Sequence, residues 1–400
     1  MVSLSASEIR KSIEKNWNDY LSKYGNLFSS NFVSGSSPPS VFVGSYGYPK
    51  VSVGPMVPPI HGDTSLLDYP ERWLGKSLEE IINFRLKLVR GTQNISVNNP
   101  QGRYIENLQE LSMSSNNPDA EITFYKNTKP TVSVDGESAP FGPIGEIKSA
   151  KFSGMSTSKS IEKTFYDKDL KAEQAIIQLY ESGIEISKIQ KCFSIGLFGK
   201  NKKLVPTRWS ITATDDMISK NLVSEILDYS LIDSILVFKH EHLGNLYSVL
   251  LFPHRWIFEM QEAWHTQNGQ IGFGADSENA NGIDHYPSIA GAYYSAKLGV
   301  AEYLSKKKRQ AGVLVLREIQ PDYAVPVGVW QVREAIRSAM NKMPTIVDTI
   351  EQGIDLACNK MSISKNEWLT KGKTLKMLKD RKSTRLNSSH PSRSRMPSSA

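Results

Sequence analysis

Apolar and polar positions along the chain alternate with two periods, one helical and one of strands. Over residues 7–24, Ile9, Ile13, Trp17, Tyr20 and Leu21 recur at helical spacing and predict an amphipathic helix. Residues 41–43 (VFV) and 51–53 (VSV) are short β-branched runs around Gly44-Ser45-Tyr46-Gly47-Tyr48-Pro49. That pattern predicts two strands joined by a glycine-rich turn. Ser77-Leu78-Glu79-Glu80 has the spacing of a capping box and starts a helix expected to reach Val89. Residues 103–113 read as a second helix. Further helices are expected at 168–180, 184–195, 217–227, 288–304, 330–340 and 345–359, and Ser364 to Glu367 is another capping box. Strands are expected at 121–125, 131–134 and 209–213, the last with Trp209, Ile211 and Ala213 on its buried face and Arg208 looking outward, and as a buried apolar run at 313–319. Residues 236–242 and 246–252 pair as a hairpin across Gly244-Asn245. Small polar residues predict loops at 149–160 and 267–284, the latter exposed. Helices and strands mix without regular βαβ alternation. The expected class is therefore α+β, a mixed sheet with packed helices, with an α/β sheet as the alternative.

Composition changes this picture little. The chain has 400 residues, 39% of them hydrophobic and 22% charged, as in an ordinary globular protein. No apolar run is long enough for a transmembrane helix, so no membrane contact is expected. The start, MVSLSASEIRKSIEKNW, lacks the apolar core and cleavage site of a secretory signal, which makes the cytoplasm the expected location. Cys192 and Cys358 sit in apolar helical contexts and read as two reduced thiols.

The end changes the picture more. Residues 380–390 read DRKSTRLNSSH, which back-translates into a common sequencing adapter. Residues 380–400 are therefore expected to be foreign to the natural chain. A serine-rich disordered tail would have a similar composition. Five lysines and arginines against one aspartate in this stretch account for +4 of the formal +7, leaving +3. Overall charge then stops arguing for nucleic acid, and local clusters must carry the argument.

Those clusters exist. Tyr46, Tyr48 and Lys50 offer two stacking faces and a cation on one hairpin, a combination suited to a phosphate-bearing polymer. A structural hairpin with core tyrosines explains the same residues. Arg90 is expected in the last turns of its helix, where it also suits the helix dipole. Lys200, Lys202 and Lys203 occupy one loop ahead of Arg208. Asp215 and Asp216 follow, and paired aspartates beside phosphate-binding cations are the parts of a metal-dependent nuclease. Helix capping explains the pair without catalysis. Residues 174–196 have the outline of half a helix-turn-helix, but 197–205 make a poor reading helix. His240 and His242 share one face of a strand, yet two ligands do not make a metal site. No nucleotide-binding loop, dinucleotide fingerprint or nucleophile elbow is present, and no cofactor or metal is expected.

Several long blocks in one order carry a resemblance. They are GSSPPSVFVGSYGYPKVSVGPMVPP from Gly35, then RWLG from Arg72, LVRG from Leu88, PFGP from Pro140, LVPTRWSITA from Leu204, Ala311 to Ile319, and GVWQVRE from Gly328. Together they closely resemble the archaeal Nre DNA repair family from about Asn31 to Arg337. The resemblance implies a role in DNA damage repair with DNA and the sliding clamp PCNA as partners, and no known reaction. Such proteins often carry a four-cysteine, zinc-finger-like segment near the start, which two cysteines cannot form. They end in a short clamp-binding motif: Gln, two residues, an aliphatic, two residues, then aromatics. Gln174, Ile177 and Tyr180 match it only in part. The natural clamp motif is expected beyond Lys379. The implied division is an N-terminal helix at 1–30, an N-terminal Nre-like region at 31–148, a C-terminal one at 149–379, and the foreign tail.

Overall fold

A computed structural model describes residues 30–128, 142–265, 271–323 and 325–374, with six positions between 11 and 22. Those six, Lys11, Glu14, Lys15, Asn18, Asp19 and Ser22, are helical and exposed. They are the polar side of the expected first helix, whose apolar side lies outside the described residues. The strand expected at 131–134 also lies outside them.

Two six-stranded sheets form the frame. The first contains β1 (Phe32–Ser36), β2 (Ser40–Val43), β3 (Lys50–Val57), β4 (Val89–Ser96), β5 (Asp119–Phe124) and β6 (Ile144–Ser153) in the order β1-β5-β6-β4-β3-β2. The second contains β7 (Ile235–His242), β8 (Asn245–Phe252), β9 (Ile257–His265), β10 (Ile271–Asn279), β11 (Gly312–Ile319) and β12 (Thr345–Val347) in the order β10-β9-β11-β8-β7-β12. Each sheet is antiparallel except for one parallel pair, β4 with β6 and β11 with β9. This is an α+β protein, as the pattern predicts.

Ten helices pack on these sheets: α1 (Leu78–Leu86), α2 (Arg103–Met113), α3 (Lys159–Tyr166), α4 (Ala172–Glu181), α5 (Ile186–Ser194), α6 (Thr207–Ile226), α7 (Gly291–Lys307), α8 (Trp330–Met340), α9 (Ile350–Cys358) and α10 (Lys365–Lys371) among the described residues. One apolar core joins both sheets through α5, α6, α7 and α8. Strand alternation shows how. Val249, Leu251, Val313 and Val315 face that core, whereas Leu250, Phe252, Leu314 and Leu316 face a second core under α9 and α10. With both faces covered, β11 reads as a continuous apolar run. No helix among the described residues is long and apolar enough to cross a membrane.

Several expectations are corrected. Residues 209–213 are not a strand but part of α6. Thr207, Ile211 and Thr212 favour strands locally, but Ser210, Thr214, Ile218, Leu222 and Ile226 form a buried stripe at helical spacing over twenty residues. That longer period wins. Residues 149–153 complete β6 instead of opening a loop. Residues 271–279 of the loop expected at 267–284 form β10. Its Gly272 is a packing position: a Cβ there would stand 2.2 Å from the Trp264 ring. Residues 345–347 are β12, and the following helix starts only after Thr349, whose hydroxyl and Gln352 complete a capping box. α1 stops at Leu86, so Arg90 belongs to β4 and not to a helix end.

Candidate nucleic-acid interface

The surface is built on the β2–β3 hairpin. At its turn Tyr46 is 96% exposed and Tyr48 53% exposed, so neither is a core residue. Gly54 lets β3 approach β4 closely, since a Cβ there would meet the Gly91 carbonyl oxygen at 1.9 Å. The N-terminus of α6 docks beside β2, where the Val43 amide donates to Thr207 Oγ1 at 2.9 Å. That anchor carries Arg208 and Trp209 to the hairpin tip. The Tyr48 and Trp209 ring centroids are 5.3 Å apart. Trp209 is 47% exposed, and Arg208 is exposed beside it.

A third segment closes the patch. The Val97 amide donates to Pro49 O at 2.9 Å, and the Leu204 amide donates to Val97 O at 3.1 Å. The lysine loop thereby reaches the turn end of the hairpin, where Lys50 opens β3 opposite Ser96. Lys200 and Lys203 are exposed. Lys202 is occupied structurally, with its ammonium 3.4 Å from the Phe165 ring and donating to Phe165 O at 2.9 Å. The structure thus gathers Tyr46, Tyr48, Lys50, Lys203, Arg208 and Trp209. The sequence blocks contained Trp209, but as a strand residue it was expected in the core.

Arg90 lies away from this patch, six residues along β4 from Ser96, the partner of Lys50. It is buried, with its guanidinium 3.5 Å from the centre of the Phe42 ring. Burial and the neighbouring Arg85 charge bring its pKa down to about 9, against the pull of Asp68. Asp68 pairs with Arg85 and, at 3.0 Å, with Lys191.

The two aspartates diverge. Neighbouring helical positions are separated by about 100° around the axis. Asp215 points inward and is fully buried, accepting from Arg333 Nη1 at 2.8 and 3.0 Å, Ser295 Oγ at 2.6 Å and Gln190 Nε2 at 3.1 Å. Burial opposes the Arg333 charge, but Asp215 and Glu71 outweigh it and hold its pKa above the ordinary arginine value. Asp216 is partly buried between exposed Lys220 at 2.7 Å and buried Lys297 at 3.4 Å. The pair is not arranged to share a cation. Nor are they in a helix first turn, since α6 begins eight residues before Asp215. His240 and His242 have ring centroids 6.1 Å apart. Among the described residues no group of three histidines, cysteines or acids is placed to hold a metal.

The sequence blocks also meet in space. Trp73 packs edge-on against Trp330 at 5.0 Å, and Glu71 Oε1 accepts from the Ser187 amide at 2.8 Å. RWLG and GVWQVRE therefore clamp distant parts of the chain together.

Comparison with known proteins gives the same lineage along the chain. The profile described as archaeal Nre, N-terminal, matches residues 10–268, and archaeal Nre, C-terminal, matches residues 278–388. DNA repair protein NreB of Archaeoglobus fulgidus is 38% identical over 86% of this chain and 89% of its own. DNA repair protein NreA of the same organism is 36% identical over 83% and 85%. DNA repair protein NreA of Haloferax volcanii is 33% identical over 76% and 77%. No solved structure matches. With both family profiles in sequence and relatives aligned over most of their length, this chain belongs to the archaeal Nre family.

Proposed function

We propose that this protein is a DNA repair factor that binds DNA directly through the Tyr46–Tyr48–Trp209 surface. The role in repair is supported by the names of the three relatives. The carrying observation is the exposed Tyr48–Trp209 contact flanked by Lys50 and Arg208. Large aromatic faces left in water beside cations are costly to keep without a use, and bases stack on them at roughly 1–3 kcal/mol each. The surface supplies binding, and the diverging aspartates supply no paired site for the nuclease alternative.

The test is anisotropy of a labelled single strand titrated with residues 1–379, since the basic tail would add unspecific binding. Affinity should fall steeply as salt rises from about 50 to about 200 mM, because bound phosphates release counterions. Lys50→Ala and Arg208→Ala should each flatten the salt slope by roughly one phosphate contact. Affinity that ignores salt would refute the reading.

Recruitment to the sliding clamp PCNA forms the second part of the proposal, through a motif outside the described residues. In the partial copy on α4, Tyr180 donates to Glu302 at 2.9 Å and Gln174 caps the helix start through the Lys171 amide. Both are committed to the fold. Calorimetric titration of residues 1–379 against the clamp should show no binding, and tight binding would place the contact in the globular body.

A further inference from the structure

We propose that the cavity beside Trp209 seats one nucleobase turned out of a DNA strand, of the kind whose edge sets an N–H donor next to a carbonyl. Guanine and thymine have such an edge. This inference rests on the DNA-binding reading above and extends it from a stacking surface to a pocket.

The cavity holds about 250 Å³ and is lined by Trp209, Thr212, Ala213, Asp216, Tyr286 and Tyr294. Its walls come from two sides. α6 supplies the first four residues, the segment leading into α7 supplies Tyr286, and the first turn of α7 supplies Tyr294. They also fall on opposite sides of the break between the two family matches, so the cavity sits where those halves meet. Its size is just below the roughly 300 Å³ at which pockets for drug-sized ligands begin, which suits a single base better than a whole nucleotide. Trp209 both touches Tyr48 and lines the cavity, so a strand stacked on the hairpin passes its mouth.

The chemistry narrows the ligand. Tyr286 is 64% exposed, and its ring lies 6.4 Å from Tyr294, leaving flat faces on the side opposite Trp209. The one carboxylate in the lining is Asp216, an acceptor for a ring N–H. Lys220, one turn along α6 and outside the lining, pairs with Asp216 Oδ2 at 2.7 Å and is largely exposed, so a donor for a neighbouring carbonyl is available from the rim. Behind both, Lys297 is buried and pairs with Glu278 at 3.1 Å and Asp216 at 3.4 Å. Tyr293 and Trp256 also donate to Glu278, at 3.0 and 3.3 Å, which fixes the floor. The segment carrying Tyr286 is tied down as well, since Ser288 Oγ and the Ile289 amide donate to Asp276 at 2.7 and 3.2 Å.

Other ligands fit less well. An aromatic box with a carboxylate is also how proteins hold quaternary ammonium groups. Here the Lys297 and Lys220 charges neutralise the carboxylate while leaving its oxygens lone pairs to accept, and Lys297 lies 5.5 Å from the Tyr294 ring centre, so a further cation would be repelled. A phosphate would meet Asp216. A neutral base with a donor beside an acceptor meets neither obstacle, and reading such an edge between aromatic walls is how extruded bases are held.

The whole chain is titrated with four DNA duplexes: fully paired, or with one bulged guanine, thymine or adenine. Guanine and thymine bulges should bind roughly tenfold tighter than the paired duplex, the worth of one stacked base, with adenine behind them. Tyr286→Ala, at an exposed position outside the hairpin surface, should erase that preference while leaving paired-duplex affinity and melting temperature unchanged. Asp216→Asn should erase the order among bases. Equal binding of bulged and paired DNA, or a preference that survives Tyr286→Ala, would overturn the pocket and leave the surface reading intact. Should no duplex bind, the labelled single strand decides the surface reading, and calorimetry with guanosine decides the pocket. Saturable heat abolished by Tyr286→Ala would support it, and no heat would overturn it.

Discussion

The inner and outer faces of α6 begin from similar sequence and end in opposite roles. On the inner face Asp215 gathers Gln190 from α5, Ser295 from α7 and Arg333 from α8. Four helices meet on one carboxylate. On the outer face Trp209 stands against the hairpin, and Asp216 borders a cavity. The charged residue that looks catalytic in sequence is architecture, and the tryptophan that looks like core is surface. Buried charge and exposed aromatic area carry the information here, because both are unfavourable unless something else repays them.

The largest effect should come from the inner face. Arg333→Ala leaves Asp215 buried without its cation and should cost about 3–5 kcal/mol in denaturant unfolding. Replacing both partners with apolar residues of similar volume, Asp215→Leu with Arg333→Met, should recover much of that loss. A single Arg333→Ala that unfolds at the native midpoint would break the contrast between the faces.

Next come two tryptophans with opposite settings. Trp73 is 2% exposed, donates to Leu66 O at 2.6 Å and packs on Trp330. Trp73→Ala should cost about 3–5 kcal/mol. Trp209→Ala should stay within about 0.5 kcal/mol in stability yet lose roughly 1–3 kcal/mol of single-strand affinity. Melting curves and anisotropy on the same samples check both. Equal destabilisation would return Trp209 to the core.

Much of the frame was legible because its signals are local. The β2–β3 and β7–β8 hairpins, the capping boxes at Ser77 and Ser364, and α8 all lie where residue pattern and turn chemistry put them. The misread segments are those where tertiary packing overrides a short window. Five β-branched and aromatic-rich residues read as a strand until the twenty-residue stripe of α6 is considered. Gly272 and Gly274 read as loop until Trp264 and Ile289 are found filling their space. The Asp215–Arg333 pair spans 118 positions, and nothing local to either residue announces the other. Tyr46, Tyr48 and Lys50 were legible as one hairpin because glycines and prolines punctuate it, but the same residues fitted a surface or a core. Their meeting with Trp209 was not legible, since it depends on Thr207 docking against Val43.

The smallest effect concerns protons, and it again sets a buried group against an exposed one. Burial holds His242 below the ordinary histidine value, and burial with the Lys342 charge brings His240 down to about 4. Lys342 Nζ lies 2.8 Å from His240 Nδ1, which leaves little room for a second positive charge. The unfolded chain therefore binds more protons than the fold between roughly pH 6.5 and pH 4, and stability falls as pH drops through that window. His285, held by Asp284 and Asp276, has a raised pKa, so its contribution is present at low pH and fades as pH rises through the folded value. It is a solvated group, and screening keeps its effect small. Melting temperature should fall by roughly a few degrees between about pH 7 and pH 5. His240→Gln with His242→Gln should remove most of that fall, whereas His285→Gln should leave it in place. A fall that persists in the double variant would move the acid-sensitive groups away from the strand and onto the outer face, where the contrast between the two settings would no longer hold.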